Sequence, residues 1–230
     1  MQFDLYLESG PQHKKTWVYV PDLPGCSLVG PTSDEAVELA RGAIRERLDF
    51  LRRHGEARAD PESIEVRVAE HVIERGMLGF GQQFWAPDLL PLTADDVAAR
   101  LRWAAWSRDE FVAVARAQPR PLELRPAAGG RSTLAILSHV AGSEWAYVSS
   151  TLGSLPGASA AIGAIERAGD EPWEALVAER ATVAARIAAM TESERTGVFE
   201  REGKSPRTAR RMLRRLLEHE WEHVRELQRR

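Results

Sequence analysis

The sequence predicts an α+β protein, a small N-terminal β-β-β-α-β module followed by an all-α four-helix bundle. Two observations carry this. Over residues 1–75 apolar residues alternate in short runs, the two-residue period of half-buried strands, around one helical stretch. From Thr93 onward they recur every three to four residues, in long stretches parted by Pro- and Gly-rich breaks. A chain of 230 residues accommodates both modules. They are placed at 1–75 and 94–230, with a linker over 76–93.

The elements follow in order. Phe3, Leu5 and Leu7 alternate with Asp4, Tyr6 and Glu8, which reads as a strand. Pro11 to Lys15 turns the chain into a second strand, Thr16 to Val20. Pro21-Asp-Leu-Pro-Gly25 breaks that strand before a short third one at Cys26–Val29. Thr32-Ser-Asp-Glu35 has the chemistry of a helix start, a capping hydroxyl followed by early acids. Ala36, Leu39, Ala40, Ala43, Ile44, Leu48 and Leu51 then hold helical spacing as far as Gly55, a C-cap glycine. Ile64, Val66 and Val68 resume strand alternation. Gly76–Leu92 reads as a linker with exposed Phe80, Phe84 and Trp85, which packs on something.

After the capping signal Thr93-Ala-Asp-Asp96, four helices can be drawn at about 94–117, 132–150, 171–190 and from Pro206 onward. Gly153–Gly169 reads as a long loop of small residues, and Glu192–Ser205 as a polar loop. Four helices so connected predict a bundle.

Composition narrows the function. With 43% hydrophobic and 28% charged residues, the chain can bury a core. A net charge of −3 argues against a nucleic-acid binder. The arginines of Arg207–Arg215 are mixed with glutamates further along and read as a solvated helix face. Cys26 is the one cysteine, so no intramolecular disulfide can form, and a cytoplasmic setting is expected. Cys26 itself reads as a structural turn residue. The first residues lack the basic and apolar regions of a secretory signal. No run of about 18 apolar residues predicts a membrane span.

The chemistry sits in a spacing. Leu217-Glu-His219-Glu-Trp-Glu-His223 puts two imidazoles one helical turn apart on one face. Such a pair can grip one metal ion, and a third ligand from a neighbouring helix would leave a coordination position open. His139 is the one histidine of the second helix. His13, His54 and His71 read as structural or exposed. On a helical wheel Glu220 falls within the apolar arc of the last helix, and Glu144 within that of the second. A carboxylate there needs a partner. Glu220 either accepts the outer N–H of a ligand imidazole or pairs with an arginine from another helix, and Glu144 reads as an alternative ligand or as an acceptor behind the ligands.

Thr133-Leu-Ala-Ile-Leu-Ser-His139-Val-Ala-Gly-Ser-Glu-Trp145 and Arg211-Met-Leu-Arg-Arg-Leu-Leu-Glu-His219-Glu-Trp-Glu-His223 resemble the DinB family of metal-binding four-helix bundles. The resemblance covers residues 95–228 and implies a metal site made by His139, His219 and His223; the positions of Glu220 and Glu144 in the apolar arcs make them candidates for the layer behind it. Zinc, nickel or ferrous iron suits three imidazoles. DinB-like proteins include thiol-dependent S-transferases and isomerases. The resemblance therefore implies a metal-dependent thiol transferase in which a low-molecular-weight thiol attacks a small electrophile. No side chain is assigned as catalytic. The loops at 153–169 and 192–205, with Trp145 and Trp106, are expected to shape a substrate pocket. The alternative expectation is a non-enzymatic stress-response or interaction protein, a homodimer with a structural or vestigial metal site.

Val18-Tyr-Val-Pro-Asp-Leu-Pro-Gly-Cys26 and Gly30-Pro-Thr-Ser-Asp-Glu-Ala-Val37 resemble the HicB antitoxin-like domain over residues 1–75. HicB-like proteins often carry a DNA-binding domain after this module, and here a bundle takes its place. An antitoxin-derived module that binds a small toxin is the third expectation.

Overall fold

A computed structural model describes residues 1–56, 63–73, 83–202 and 204–230. It is α+β, as the alternation and the helical periodicity require. Two compact units form: Met1–Leu90 with Glu200–Pro206, and Pro91–Phe199 with Arg207–Arg230.

In the first unit the order is β1 (Gln2–Ser9), β2 (Lys14–Tyr19), β3 (Ser27–Thr32), α1 (Ser33–Arg53) and β4 (Glu65–Ile73). The strands lie as β3-β2-β1-β4. β1 pairs antiparallel with β2, with Leu7 opposite Val18, and parallel with β4, with Leu7 opposite His71. A parallel neighbour needs a crossover, and α1 lies on that connection. Thr32 caps α1 by accepting from the Glu35 backbone N–H at 3.3 Å. Gly55, at φ +81°, turns the chain away after its end. Ala36, Ala40, Ile44, Leu48 and Leu51 are buried, together with Leu5, Leu7 and Val18 of the sheet.

Within the stretch read as a linker, packing is found at Trp85, which is not exposed as its surroundings suggest. Trp85 is fully buried, its ring 5.4 Å from Tyr6 and 5.9 Å from Tyr19. The indole covers these sheet tyrosines instead of facing water. Ala86–Leu89 then forms a 3-10 turn, with the Asp88 carboxylate accepting from the Trp85 N–H at 3.0 Å. Phe84 is half-buried, and Phe80 lies outside the described residues.

The turn Pro24-Gly25-Cys26 has a specific reason for its glycine. Arg47 of α1 is buried and donates through Nε to the Pro24 carbonyl at 3.1 Å. A Cβ on Gly25 would lie 2.5 Å from Arg47 Nη2, on a backbone at φ +89°. Gly25→Ala is therefore expected to destabilise the first unit by about 1–3 kcal/mol, from strain at positive φ plus displacement of Arg47. Urea unfolding read by the tryptophan signal checks this, and an unchanged midpoint would refute it. Cys26 is buried, its N–H donating to the Leu23 carbonyl at 2.9 Å.

The second unit carries α2 (Ala94–Arg116), α3 (Thr133–Leu152), α4 (Ala158–Arg167), α5 (Trp173–Ala188), α6 (Glu192–Thr196) and α7 (Ala209–Gln228). β5 (Phe199–Arg201) and β6 (Lys204–Arg207) pair as a short ribbon. Thr93 and Asp96 form a reciprocal capping box on α2, and Ser132 caps α3.

Four expectations change here. Gly153–Gly169 is not all loop: Ala158, Ala160, Ala161 and Ala164 outweigh the glycines as helix formers, and α4 places Ile165 in the core. Glu192–Ser205 contains α6, started by the capping box Thr191-Glu-Ser-Glu194, and then the β5–β6 ribbon. α7 begins at Ala209 with Thr208 as its cap, because Pro206 and Arg207 are extended. The solvated face expected at Arg207–Arg215 is also corrected. Arg214 and Arg215 are buried, and both donate to Glu218, at 2.9 Å and 3.0 Å. Glu218 faces both about one turn on, and Arg215 also reaches Glu222 at 3.4 Å, so charge alone does not bring them to the surface.

Candidate metal centre

α3 supplies His139, and α7 supplies His219 and His223. His219 Nε2 lies 3.1 Å from His139 Nε2 and 3.3 Å from His223 Nε2. The three donor nitrogens all lie within 4.8 Å of one another. The rings meet edge to face, with centroids 4.6–5.1 Å apart. His219 and His223 are buried, while His139 is half-buried and marks the open side. Tyr147, two turns after His139 on the same face of α3, sets its ring edge to face with His219 at 5.9 Å. Sequence reasoning passed over Tyr147, although its i+8 spacing from His139 was the available signal.

Electrostatics favour the neutral form of His219 and His139. Burial holds His219 down to about 2, helped by the His223 and Arg215 charges. Burial likewise holds His139 down to about 4, with Arg131 adding to it. Neutral imidazoles keep the lone pair that a metal needs. The spacing fits as well. Donors bonded at about 2.0 Å around one tetrahedral ion stand roughly 3.3 Å apart, close to the two short separations here. The donor set could hold a metal ion, and three imidazoles do not choose which.

Glu220 takes the second of the two roles open to it, and Glu144, expected as a ligand or behind one, joins it. They accept from arginines and not from the imidazoles. Arg108 of α2 donates through Nη2 to Glu144 at 2.6 Å, through Nε to Glu220 at 2.6 Å and through Nη1 to Glu179 of α5 at 3.3 Å. Arg180 of α5 donates to Glu220 at 2.8 Å and also to Glu144. All three carboxylates are buried. The expectation of an imidazole partner is thus corrected, because two guanidinium groups reach these acids first. Glu179 was not anticipated, nor were the arginines, whose partners lie 36 to 112 residues away.

The carboxylate that does meet an imidazole is Glu226, whose Oε2 lies 2.6 Å from His223 Nδ1. Its i+3 spacing from His223 was the missed signal. Of the other histidines, His71 bonds Ser9 at 2.7 Å, His13 stacks edge-on against His71, and His54 is exposed.

A cavity of about 50 Å³ lies in the bundle, lined by Leu101, Ala104, Ala105, Arg180, Val183, Ala184, Ile187, Leu213 and Leu216. It draws on α2, α5 and α7. Neither the expected loops nor Trp145 and Trp106 line it, and Trp145 is a buried core residue.

No helix among the described residues is long and apolar enough to cross a membrane. No curated protein and no solved structure matches the chain. Residues 104–227, more than half of the chain and including all three clustered histidines, match the DinB superfamily. The helices, the HxxxH pair on the last of them and this match agree, and the chain belongs to the DinB superfamily.

Proposed function

We propose that the bundle is a metal-dependent thiol S-transferase or isomerase that uses a low-molecular-weight thiol against a small electrophile. The convergence of three imidazole nitrogens, from His139, His219 and His223, carries this reading. A divalent ion held there would present a coordinated thiol as its thiolate at neutral pH.

This chain's own residues would bind and orient. Three protein ligands leave a tetrahedral ion one further position. Half-buried His139 would lie on the side from which a thiol approaches, while buried His219 and His223 would exclude water behind the site. The thiol proton passes to solvent, so no side-chain base is required. Sulfur then bonds to the electrophilic carbon, and the leaving group departs with the bonding pair. For an isomerase no group would leave: the thiolate would add to an activated double bond, the π pair would move onto the conjugated carbonyl, and after rotation about the resulting single bond that pair would return and expel the thiolate.

The proposal extends to the first unit as a HicB-like partner-binding module. The β-β-β-α-β order and the Pro24-Gly25-Cys26 turn support that kinship.

Elemental analysis of tag-free protein tests the site. The wild type is expected to carry about one equivalent of a transition metal. The His219→Ala/His223→Ala variant is expected to carry none while remaining folded by circular dichroism. Thiol consumption with a panel of electrophiles would follow on the loaded protein. No metal in the wild type after incubation with zinc, nickel or ferrous iron would overturn the enzyme reading and leave an interaction protein.

A further inference from the structure

Glu226 lies three residues beyond His223 on α7, and its Oε2 is 2.6 Å from His223 Nδ1. Its other oxygen accepts from Arg230 Nη2 at 3.1 Å. Arg230, just past the end of α7, and Glu226 and His223 in its last turns thus form one chain leading inward to the cluster. An ionised carboxylate only accepts, so the bond to Nδ1 requires a proton on that nitrogen. The neutral ring carries a single N–H. Nε2 of His223, 3.3 Å from His219 Nε2, is then left with the lone pair. His219 offers the contrast: its Nδ1 is buried and has no partner among the described residues. Nothing comparable fixes that ring.

We infer that Glu226 is the positioning residue of this centre. It holds His223 in the Nδ1–H tautomer and makes His223 its preorganised ligand. The effect on metal affinity rests on the metal-binding reading above, whereas the tautomer does not. A carboxylate behind a ligand imidazole fixes the ring and raises its basicity, and losing one typically weakens metal affinity about 10- to 100-fold.

Two readouts separate the ideas. Nitrogen-15 spectra of the metal-free protein report the ring state of His223. The wild type should show Nδ1–H with a bare Nε2, and Glu226→Ala should show a mixture or the opposite tautomer. Arg230→Ala, which keeps the carboxylate, should leave the ring state unchanged. Cobalt and zinc affinities, measured by competition with a chromophoric chelator, should fall about 10- to 100-fold in Glu226→Ala. They should fall less in Glu226→Gln, which keeps an acceptor oxygen. Melting curves confirm that the variants are folded.

A wild-type ring protonated at Nε2 would overturn the inference. So would a Glu226→Ala protein with wild-type ring signals and wild-type metal affinity. If the wild type binds neither metal, the metal reading fails by itself, and the nitrogen spectra still decide the role of Glu226.

Discussion

Arg108→Met should destabilise the bundle by about 3–5 kcal/mol, the cost of removing one partner from a buried ion pair. Arg108 reaches all three buried carboxylates, from α3, α5 and α7. Burial works against its charge, but those carboxylates more than offset it and hold its pKa above the ordinary value. Methionine fills similar volume, so the loss falls on electrostatics more than on packing. Arg180 alone would then face Glu144, Glu179 and Glu220. Chemical unfolding at neutral pH measures the effect. Adding Glu179→Gln to Arg108→Met should recover part of the loss, since it removes the cost of either charging or protonating one buried acid. A loss below about 1 kcal/mol, the range of an exposed pair, would show that the cluster is not dry.

The second large effect is a dependence on pH. Three carboxylates face two guanidinium groups, so one acid is in excess. Glu179 is the most weakly held, by a single 3.3 Å bond, and its Oε1 has no partner among the described residues. Burial, reinforced by the Glu144 charge, pushes Glu179 up to about 8 from an ordinary 4.5. The folded state therefore holds a proton that the unfolded chain has released over this interval. The resulting stability is fully present below pH 4.5 and is lost as pH rises through about 8. The slope approaches about 1.4 kcal/mol per pH unit for one proton.

Glu179→Gln, which mimics the protonated acid, removes that slope. Its stability relative to wild type should be near zero at pH 5 and clearly positive at pH 9. His139 and His219 contribute the opposite trend below their ordinary value, and this cancels in the difference between the two proteins. A difference that stays constant with pH would refute the protonated Glu179.

The sequence made some of this legible and hid the rest for definite physical reasons. His219 and His223 were readable because four residues in a helix fix a shared face whatever the fold around them. His139 needed the family resemblance, since nothing local says which helix packs opposite. Glu220 inside an apolar arc announced that a partner must exist. The partner, Arg108, stands 112 residues earlier, and only the packed bundle brings it near. Local signals weighed wrongly account for α4, where alanines were read as loop because glycines stood among them. Trp85 was misread because short flanking segments give no period to follow. Its burial is decided by Tyr6 and Tyr19, far away in sequence.

The charge cluster also bears on how the bundle comes together. Its ion pairs span 36, 40, 71 and 112 residues, and no two neighbouring helices contain them all. Contacts this distant form late, after the loops between them have closed. An assembly lacking α2 or α7 would hold carboxylate or guanidinium groups out of water without their counterparts. Such partly formed bundles are penalised, so opening one helix loosens the others. The second unit should accordingly gain and lose its structure as one cooperative body rather than helix by helix.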